Sequence, residues 1–428
     1  MGINPELFAL QFPGLPRQRA RSIRVSASGK GGSMKQGFSI VTQSVRPELF
    51  GTGCVSLKAA ESAAAFHRSL PCYAPTPLEE LPALARSLGV EQILVKDESR
   101  RFGLNAFKGL GGSYAIAGWL CRTFGLELNE NTFAQLQSPS FRDRLKEITF
   151  VTATDGNHGR GVAWAAQVFG CRAVVYLPKG SARERLDNIL ALGADAEITG
   201  WNYDDTVRFA EETARKKGWV LIQDTAWPGY EDIPADIMGG YTTLAWETER
   251  QRTEQGWEVP THLFLQAGVG SFAGAMAGYF SALWKEKRPR IIVVEPDQAD
   301  CLYQTAKAAD GALHAVTGPM NSMMAGLCCG EPCTLGWEIL RDRVCGFISC
   351  DDETSALGMR LLGKPGGGDP LIVSGESGAV PLGAAARLLL EPDLAAFREA
   401  LGLDARSRIL VISTEEDTGR ENYQRILG

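Results

Sequence analysis

The sequence predicts an α/β fold with a mostly parallel sheet. From about residue 90 onward, short apolar runs alternate with segments of helical periodicity, which is the pattern of βαβ units. The runs are continuously apolar, as expected of parallel strands that are buried on both faces. Several of them lead directly into a glycine-rich turn. Because ligands of such folds bind beyond the carboxyl ends of strands, these turns are where we expect a functional site.

The pattern predicts nine strands, with helices between most of them. The strands are expected at residues 93–96, 148–153, 173–177, 196–199, 220–223, 262–266, 291–294, 347–349 and 409–413, and clear helices at 162–167, 204–217 and 377–390. Nine strands are many for one doubly wound sheet, and the polar stretches 135–147 and 228–236 mark places where the chain changes domain. We therefore expect two α/β lobes with the ligand between them.

The composition favours a small-molecule enzyme. The chain has 428 residues, of which 44% are hydrophobic and 22% charged, as is usual for a globular enzyme of two domains. Its net charge of -6 disfavours a nucleic-acid partner, because phosphate binding requires a basic face. Apolar stretches fall short of the roughly 18 residues of a membrane span. We expect neither nucleic acid nor membrane as a partner.

The ten cysteines do not predict a metal site. Cys328, Cys329 and Cys333 form the only tight group, which lacks a second pair at zinc-finger spacing and has no nearby histidine beyond His314. Scattered thiols without a secretory signal indicate a reducing compartment, where cysteines pack as small apolar residues. We expect a cytoplasmic protein without a bound metal.

The first 43 residues differ from the rest of the chain. They carry six basic residues against the single acid Glu6, together with many serines and glycines, and they are predicted to be disordered. The segment lacks the sustained amphipathic pattern of an organelle-targeting peptide, and Met34 is an alternative start of translation.

Lys108 stands at the start of a predicted helix, in the sequence FKGLGG at residues 107–112. A primary amine in this position, among small residues and beside Phe107, suits imine formation with an aldehyde cofactor. The alternative is a solvated surface lysine, which is the usual state of this residue type. Two further glycine turns favour the first interpretation.

The second turn, ATDGNHGRG at residues 153–161, links a predicted strand to a predicted helix. Its glycines expose backbone N–H groups at a helix start, which suits an anion, and Asn157 adds a side chain that both donates and accepts hydrogen bonds. Asp155 would repel an anion unless it takes part in proton transfer. The alternative is that Asp155 only caps the helix.

The third turn, QAGVGSFAGA at residues 266–275, again connects a strand to a helix. Gly268, Gly270 and Ser271 could donate backbone hydrogen bonds to a phosphate, assisted by the helix dipole. A dinucleotide site is the alternative, because Glu295 lies where such a fold places its ribose-binding acid. The glycine spacing is one residue longer than the dinucleotide fingerprint, and that alternative leaves Lys108 without a function.

An amine, an anion pocket and a phosphate cradle together describe a site for pyridoxal phosphate. The last predicted strand ends at Ser413 and Thr414, where a hydroxyl could contact the pyridine nitrogen. A hydroxyl there would not enforce protonation of the ring, which favours elimination over transamination. The alternative for both hydroxyls is a simple cap at the end of the strand.

These motifs resemble fold type II, the β-family of pyridoxal phosphate enzymes, and within it the diaminopropionate ammonia-lyases. The resemblance covers about residues 50–428. It is carried by YAPTPL at 73–78, KDESRRFGLNAFKGLGG at 96–112, TATDGNHGRGVAWAA at 152–166, NYDDTV at 202–207, QDTAWPGYEDIP at 223–234, MAGLCCGEP at 324–332 and SGESGAVPLG at 374–383. Dehydratases of the same fold carry a small residue where Asp155 stands. Glu416 is a departure, since the family is expected to have glycine there.

The resemblance implies a function for each motif. Lys108 would bind the cofactor covalently and Asn157 would contact its 3'-oxygen, while Gly268, Val269, Gly270 and Ser271 would hold its phosphate. Ser413 or Thr414 would contact the ring nitrogen. Asp155 and Asp224 would accept protons from the D and L substrates respectively, and the substrate contacts would be Thr154, Asp155 and His158.

The resemblance also implies the architecture and the reaction. Residues 44–112 and 226–428 would form a large cofactor-binding domain and residues 113–225 a small one, in a protein that is commonly a homodimer. The expected reaction is α,β-elimination of 2,3-diaminopropionate to pyruvate and two ammonia. The alternatives are a serine or threonine dehydratase of the same fold and a pyridoxal phosphate-binding protein without turnover.

Overall fold

The computed structural model describes residues 34–35, 37–46, 53–154, 156–417 and 419–428. Twelve strands form two sheets within these residues. The strands are β1 (Met34–Lys35), β2 (Phe38–Thr42), β3 (Leu78–Glu80), β4 (Gln92–Asp97), β5 (Thr149–Ala153), β6 (Arg172–Leu177), β7 (Asp195–Ile198), β8 (Val220–Leu221), β9 (His262–Gln266), β10 (Arg290–Pro296), β11 (Val344–Cys350) and β12 (Arg408–Ser413).

Helices connect most of these strands and cover both sheets. They are α1 (Leu57–Ser69), α2 (Pro82–Leu88), α3 (Lys108–Phe124), α4 (Thr132–Leu136), α5 (Pro139–Lys146), α6 (Asn157–Phe169), α7 (Arg183–Leu190), α8 (Tyr203–Lys217), α9 (Asp232–Glu254), α10 (Ser271–Trp284), α11 (Cys301–Ala308), α12 (Thr334–Arg343), α13 (Asp352–Gly363), α14 (Glu376–Leu390), α15 (Ala395–Ala400) and α16 (Arg420–Leu427). Short 3-10 turns occur at Gly53–Val55, Arg101–Gly103, Lys285–Lys287, Ala325–Leu327 and Pro392–Leu394. In the described part of the chain, no helix has the length and apolar character needed to cross a bilayer.

The large sheet has the strand order β1-β2-β11-β10-β9-β12-β4-β3. Its five central strands, from β11 to β4, run parallel, and the pairs at both edges are antiparallel. The residues of β4 and β9 are all buried, as the continuous apolar runs predicted. The nine predicted strands are all present, with ends that differ from the prediction by at most three residues.

The small sheet has the order β7-β6-β5-β8, and all its pairs are parallel. The chain leaves the large sheet after β4, builds the small sheet between residues 149 and 221, and returns to the large sheet at β9. The prediction of a fold with two mostly parallel α/β lobes is therefore confirmed. The exact domain boundaries at 112/113 and 225/226 stay a prediction.

A short part of the segment 1–43 that was predicted to be disordered forms a strand, which corrects the prediction for residues 38–42. Residues 38–42 form β2, which pairs antiparallel with β11. Phe38 and Ile40 are only 2% and 1% exposed, because the alternation of apolar side chains buries one face of the strand. The net basic composition of the whole segment concealed this short alternating pattern. Residues 1–33 and 36 lie outside the described residues.

Glycines permit the close approach of α3 and α6. These two helices begin in the predicted turns that contain Lys108 and Asn157. A Cβ atom on Gly161 would lie 2.9 Å from the carbonyl carbon of Lys108, and one on Gly112 would lie 3.1 Å from that of Gly161. The distance at Gly161 is shorter than real Cβ atoms show and its neighbour is backbone, so the helices can cross here only with glycine at 161, while a Cβ atom at position 112 would force its neighbour to shift slightly. The crossing brings the first turns of α3 and α6 together.

A buried ionic cluster anchors the segment before Lys108. Arg101 donates to Glu98 and Glu247, with its terminal nitrogen 2.7 Å from each carboxylate, and Lys96 donates to Glu247 at 2.8 Å. The four side chains are at most 1% exposed. Two cations and two anions balance in charge, which is the condition for burying ions in a protein core. The cluster ties β4 and the loop after it to α9.

Candidate active site

A cleft opens at the carboxyl ends of β5, β9 and β12 and receives side chains from both sheets. Its walls are formed by Phe107, Lys108, Thr154, Asn157, His158, Tyr203, Asp224, Gln266, Ala267, Gly268, Val269, Gly270, Ser271, Phe272, Gly326, Leu327, Cys329, Ser377, Thr414 and Glu415. Segments from three predicted turns therefore meet in one place, as the rule for open α/β sheets requires.

Lys108 is the first residue of α3 and lies in this cleft. Its Nζ donates to Oδ2 of Asp224 at 2.5 Å, and the side chains of the two residues are 20% and 7% exposed. The ammonium lies 5.4 Å from the ring centre of Phe107 and 5.9 Å from that of Tyr241. The amine is thus reachable from the cleft but bounded by aromatic rings, unlike a solvated surface lysine.

Asp224 follows β8, which ends two residues earlier than predicted, at Leu221. Burial alone would raise the pKa of Asp224, but the attraction of His158 in its protonated form and of Lys108, together with the hydrogen bond from Lys108, outweighs burial and lowers it to about 2. The carboxylate is therefore ionised at neutral pH. While Lys108 remains charged beside it, Asp224 is a weak base.

The second turn supplies Thr154, Asn157 and His158 to the cleft. Thr154 Oγ1 accepts hydrogen bonds from the N–H groups of Gly156 at 2.9 Å and Gly159 at 3.0 Å, which fixes the turn. The Asn157 amide donates to Oε2 of Glu415, and His158 Nε2 lies 2.8 Å from the carbonyl oxygen of Ile222. The predicted proton acceptor of this turn, Asp155, lies outside the described residues.

The third turn forms a concave loop between β9 and α10. Gly270 has φ +100° and directly precedes the first residue of α10, so the free N–H groups of the helix start face this loop. A Cβ atom on Gly268 would lie 3.2 Å from Leu327 Cα. Ser271 Oγ donates to the carbonyl oxygen of Asp224 at 2.6 Å, which joins the loop to the carboxylate segment. The loop has the form of an anion cradle.

The two candidate hydroxyls after β12 occupy different environments. Thr414 lines the cleft, and its Oγ1 accepts a hydrogen bond from Gln266 Nε2 at 2.8 Å. Ser413 is fully buried and donates to Ser374 Oγ at 2.7 Å, outside the cleft lining. Successive residues of a strand point to opposite faces, which accounts for the difference. Glu416, which stands where the family is expected to have glycine, donates its backbone N–H to the backbone carbonyl oxygen of Asn105 at 2.8 Å.

Sequence reasoning missed Glu415, Ser377 and Gln266. The Glu415 carboxylate is 5% exposed and accepts from the Asn157 amide and from the N–H of Ser377 at 3.1 Å. The Ser377 hydroxyl is buried at the cleft without a hydrogen-bond partner among the described residues. Gln266 and Glu415 are polar residues at or just after the carboxyl end of a buried strand, and that position was the available signal.

The structure decides the dinucleotide alternative. Both oxygens of Glu295 accept backbone N–H groups at the start of α11, from Leu302 at 2.9 Å and Tyr303 at 2.7 Å. The acid is fully buried, so it cannot bind a ribose and the dinucleotide alternative is wrong. The described residues contain no group of three or more ligands that could hold a metal ion, and Cys333 instead caps α12 by accepting from the N–H of Gly336 at 3.4 Å.

The residues of the cleft fit pyridoxal phosphate. The amine of Lys108 is reachable, the loop Gly268–Ser271 presents helix-start N–H groups suited to a phosphate, and Thr414, Asn157 and Ser377 offer polar groups for the edge of a ring. The unpartnered hydroxyl of Ser377 is in addition a buried polar group that a bound molecule can satisfy.

Comparisons with known proteins agree with this fit. Residues 70–414 match the family model described as "Pyridoxal-phosphate dependent enzyme". The chain is 51% identical over 387 residues to diaminopropionate ammonia-lyase from Salmonella typhimurium, which covers 89% of this chain and 96% of the relative. The biosynthetic L-threonine dehydratase of the same organism is 28% identical over 252 residues, covering 58% of this chain and 40% of that protein.

A solved structure extends the similarity to three dimensions. The diaminopropionate ammonia lyase of Escherichia coli, crystallised in complex with an aminoacrylate-PLP azomethine reaction intermediate, superposes with a TM-score of 0.83 and 48% sequence identity. The match covers 92% of this chain and 97% of that one. The similarity thus includes both sheets and the cleft between them.

Proposed function

Because the chain belongs to the pyridoxal-phosphate dependent enzymes and, within them, to the diaminopropionate ammonia-lyase family, we propose that it is a carbon–nitrogen lyase that converts 2,3-diaminopropionate to pyruvate and two ammonia. The observation that carries the proposal is the pair of Lys108 and Asp224, whose charged atoms are 2.5 Å apart in a cleft closed by the glycine loop. Pyridoxal phosphate, when bound, supplies an aldehyde that condenses with amines and a ring that withdraws electrons from the substrate Cα.

The chain's own residues hold the cofactor and place it. We assign covalent attachment to Lys108 and phosphate binding to the backbone of Gly268, Val269, Gly270 and Ser271, since the helix-start N–H groups carry partial positive charge. Asn157 has a second amide proton beside the one that it donates to Glu415, and we assign that proton to the 3'-oxygen. Thr414 is the better candidate for the ring nitrogen, because the hydroxyl of Ser413 is engaged with Ser374.

Two carboxylates serve as proton acceptors. Asp224 lies on one wall of the cleft, and its ionised state at neutral pH is required of a base. We assign the Cα proton of the L substrate to Asp224 and that of the D substrate to Asp155, and the wall containing Thr154 and Asn157 to substrate and ring contacts. A β-ammonium leaves poorly until negative charge develops at Cα, so each base contributes roughly 10²- to 10⁴-fold in rate.

The reaction is tested with purified enzyme, its visible absorbance, and each diaminopropionate isomer in turn. We expect a visible band that borohydride bleaches and release of pyruvate from diaminopropionate with kcat/KM well above that for serine. A preference for L-serine or L-threonine would favour the dehydratase alternative. A bound cofactor without pyruvate from any amino acid would favour a binding protein without turnover.

The division between the two acids is tested by exchanging each for its amide. Asp155→Asn should depress kcat for the D isomer more than for the L isomer, and Asp224→Asn should do the reverse. The expected loss on the affected isomer is roughly 10²- to 10⁴-fold, as for removal of a general base. Equal losses on both isomers in both variants would contradict the assignment.

The proposed setting is a cytoplasmic homodimer with an amino acid substrate. The described residues include all ten cysteines, and no disulfide forms among them, which fits a reducing compartment. The family resemblance supports the dimer. Light scattering on the holoenzyme should give about twice the chain mass of 46.2 kDa, and a monomeric mass would contradict the dimer.

A further inference from the structure

Gln266, the last residue of β9, uses its side-chain amide to donate two hydrogen bonds. Its Nε2 lies 3.0 Å from the backbone carbonyl oxygen of Ile412 and 2.8 Å from Oγ1 of Thr414. The residue is 2% exposed and lines the cleft. A backbone carbonyl can only accept, so the amide must turn its nitrogen toward Ile412. The backbone of β12 thereby fixes the orientation of the amide.

This orientation persists although it leaves the amide oxygen unsatisfied. Oε1 of Gln266 is buried and has no hydrogen-bond partner among the described residues. A reversed amide would place this oxygen against the carbonyl oxygen of Ile412, which has no proton to donate. The two donated bonds therefore determine how the amide is held.

The amide lies where the backbone pairing of two central strands has ended. Within the described strands, β9 and β12 pair at His262 with Ile409 and at Leu263 with Leu410, near their amino ends. Gln266 spans the gap that follows and joins the two strands at the base of the cleft. The bond to Ile412 is sufficient for this structural role, so the bond to Thr414 needs a separate reason.

The bond from Gln266 determines what the hydroxyl of Thr414 can do. A hydroxyl has one proton and two lone pairs, and one lone pair of Thr414 Oγ1 takes the amide proton of Gln266. No described residue accepts the proton of this hydroxyl. Thr414 is 4% exposed and lines the cleft, so that proton remains available to a molecule bound there.

The acid on the same wall of the cleft is engaged with other groups. Glu415 accepts the Asn157 amide with Oε2 and the backbone N–H of Ser377 with Oε1, at 3.1 Å in the second case. A carboxylate that faced the ring nitrogen of the cofactor would hold a proton on it. The engagement of both oxygens of Glu415 leaves the neutral hydroxyl of Thr414 as the group for that nitrogen.

Resting on the function proposed above, we propose that Gln266 is a positioning residue that fixes the Thr414 hydroxyl as a hydrogen-bond donor to the ring nitrogen of pyridoxal phosphate. A nitrogen that accepts such a bond must be unprotonated, because its lone pair is in use. With a protonated nitrogen, Thr414 would have to accept, and its own proton would be buried without an acceptor. Gln266 thus favours the neutral ring by acting through Thr414.

The first measurement is the affinity of the full chain, freed of cofactor, for pyridoxal phosphate. Gln266→Met removes the amide protons at similar side-chain length, and Thr414→Val removes the hydroxyl at similar shape. Each change should raise Kd about 10-fold, as expected for one lost hydrogen bond. The double variant should also lose only about 10-fold, because Gln266 acts through Thr414.

Two outcomes of this cycle would overturn the proposal. One is an unchanged Kd in Gln266→Met. The other is a loss of about 100-fold in the double variant, which would mean that the two side chains act independently. Circular dichroism of each variant reports that it is folded.

The second measurement reads the ring itself. The holoenzyme is formed with pyridoxal phosphate that is isotope-labelled at the ring nitrogen, and nuclear magnetic resonance distinguishes the neutral ring from the protonated one. The wild type should show the neutral ring. In Gln266→Glu the new carboxylate accepts the proton of Thr414, so the resonance should move more than halfway toward that of the protonated ring.

The spectrum of Gln266→Glu is recorded at the highest pH at which the variant remains folded, so that the new carboxyl is ionised. A resonance that stays at the wild-type position would contradict the proposal. A protonated ring in the wild type would also contradict it. A structural role in joining β9 to β12 would move neither the resonance nor the additivity of the cycle.

Gln92 provides a matched control. It is 8% exposed, its Nε2 donates to Glu80 at 2.8 Å, and its Oε1 is likewise buried without a partner among the described residues. It begins β4, at the amino end of the parallel strands, whereas Gln266 ends β9. Gln92→Met should leave both the Kd for pyridoxal phosphate and the ring resonance unchanged.

The same experiments separate this proposal from the proposed function. Pyruvate release from diaminopropionate with additive losses in the cycle would refute only the role of Gln266. Absence of pyruvate from both isomers, with the expected cycle and ring resonance, would refute only the proposed reaction.

Discussion

Two groups of opposite charges on one short segment of the chain differ in what surrounds them. Lys96, Glu98 and Arg101 join Glu247 in a cluster that is at most 1% exposed and balanced in charge. Lys108, only seven residues after Arg101, pairs with Asp224 in a cleft where its side chain is 20% exposed. The first group is sealed by the core, and the second opens toward a ligand.

The difference separates an ion pair that is sealed in the core from one whose amine a ligand can reach. The buried cluster satisfies its charges internally: burial would raise the pKa of Glu247, but Lys96 and Arg101 outweigh it and lower that pKa, so the acid remains ionised. The cleft pair has the same chemistry but leaves its amine reachable. We therefore expect burial to decide which lysine can react, and three changes test the effects of burial, from the largest expected effect to the smallest.

The largest effect should follow from removing the reachable amine. Lys108→Ala should abolish covalent attachment of pyridoxal phosphate, because no other amine lines the described cleft. Mass spectrometry after borohydride reduction measures the attachment, and circular dichroism measures folding. The matched control is Lys96→Met, which removes the sealed lysine. This variant should have a lower free energy of unfolding but should still attach pyridoxal phosphate covalently. Cofactor that is found covalently attached to Lys108→Ala after borohydride reduction would contradict the assignment.

The second effect should be a loss of stability when the sealed cluster is broken. Arg101→Met leaves Glu98 and Glu247 without their shared cation, and the free energy of unfolding should fall by about 3–5 kcal/mol. Urea denaturation measures the change. The control is Lys146→Met, which breaks an exposed pair with Asp143 on α5 and should cost less than about 1 kcal/mol. Equal effects would show that burial does not matter here.

The smallest effect should be a pH dependence of the free energy of unfolding that arises from His67, which contacts α3, the helix that begins at Lys108. Burial lowers the pKa of His67 from 6.5 to about 3, and its Nε2 lies 3.0 Å from the carbonyl oxygen of Leu110. The unfolded chain therefore binds a proton near pH 6.5 that the folded chain refuses until about pH 3, so stability is lost as pH falls through this window.

Denaturation at several pH values measures that loss. From pH 6.5 to about pH 5.5 the His67 contribution should fall by about 1 kcal/mol. The variant His67→Gln has no such proton to bind, and its stability should depend less steeply on pH over the same range. Asp224 affects stability only at lower pH. Because its pKa is lowered to about 2, its contribution to stability is lost only as pH falls from about 4 toward 2. Parallel slopes for the wild type and His67→Gln would contradict the prediction.

Much of the fold and of the site was predictable from local pattern. Continuous apolar runs located all nine predicted strands, because parallel strands are buried on both faces. Three short strands of mixed composition were not predicted. β1 and β2 lie in a segment whose basic residues suggested disorder, and β3 contains two acids. Glycine turns after strands located Lys108, Asn157 and the loop Gly268–Ser271, since those turns must lie at one edge of a sheet.

The sequence by itself determined the α/β class and located the lysine and the glycine loop that line the cleft, because each depends on residue types within a few positions of one another. Only the tertiary structure decided which charges meet. It placed Thr414 in the cleft wall and Ser413 outside it, and it placed Glu295 where its carboxylate accepts the N–H groups at the start of α11. It also brought Glu415 to Asn157 and His158 to Asp224. These contacts join residues far apart in the chain, and their distances follow from how two sheets pack, which no local pattern encodes.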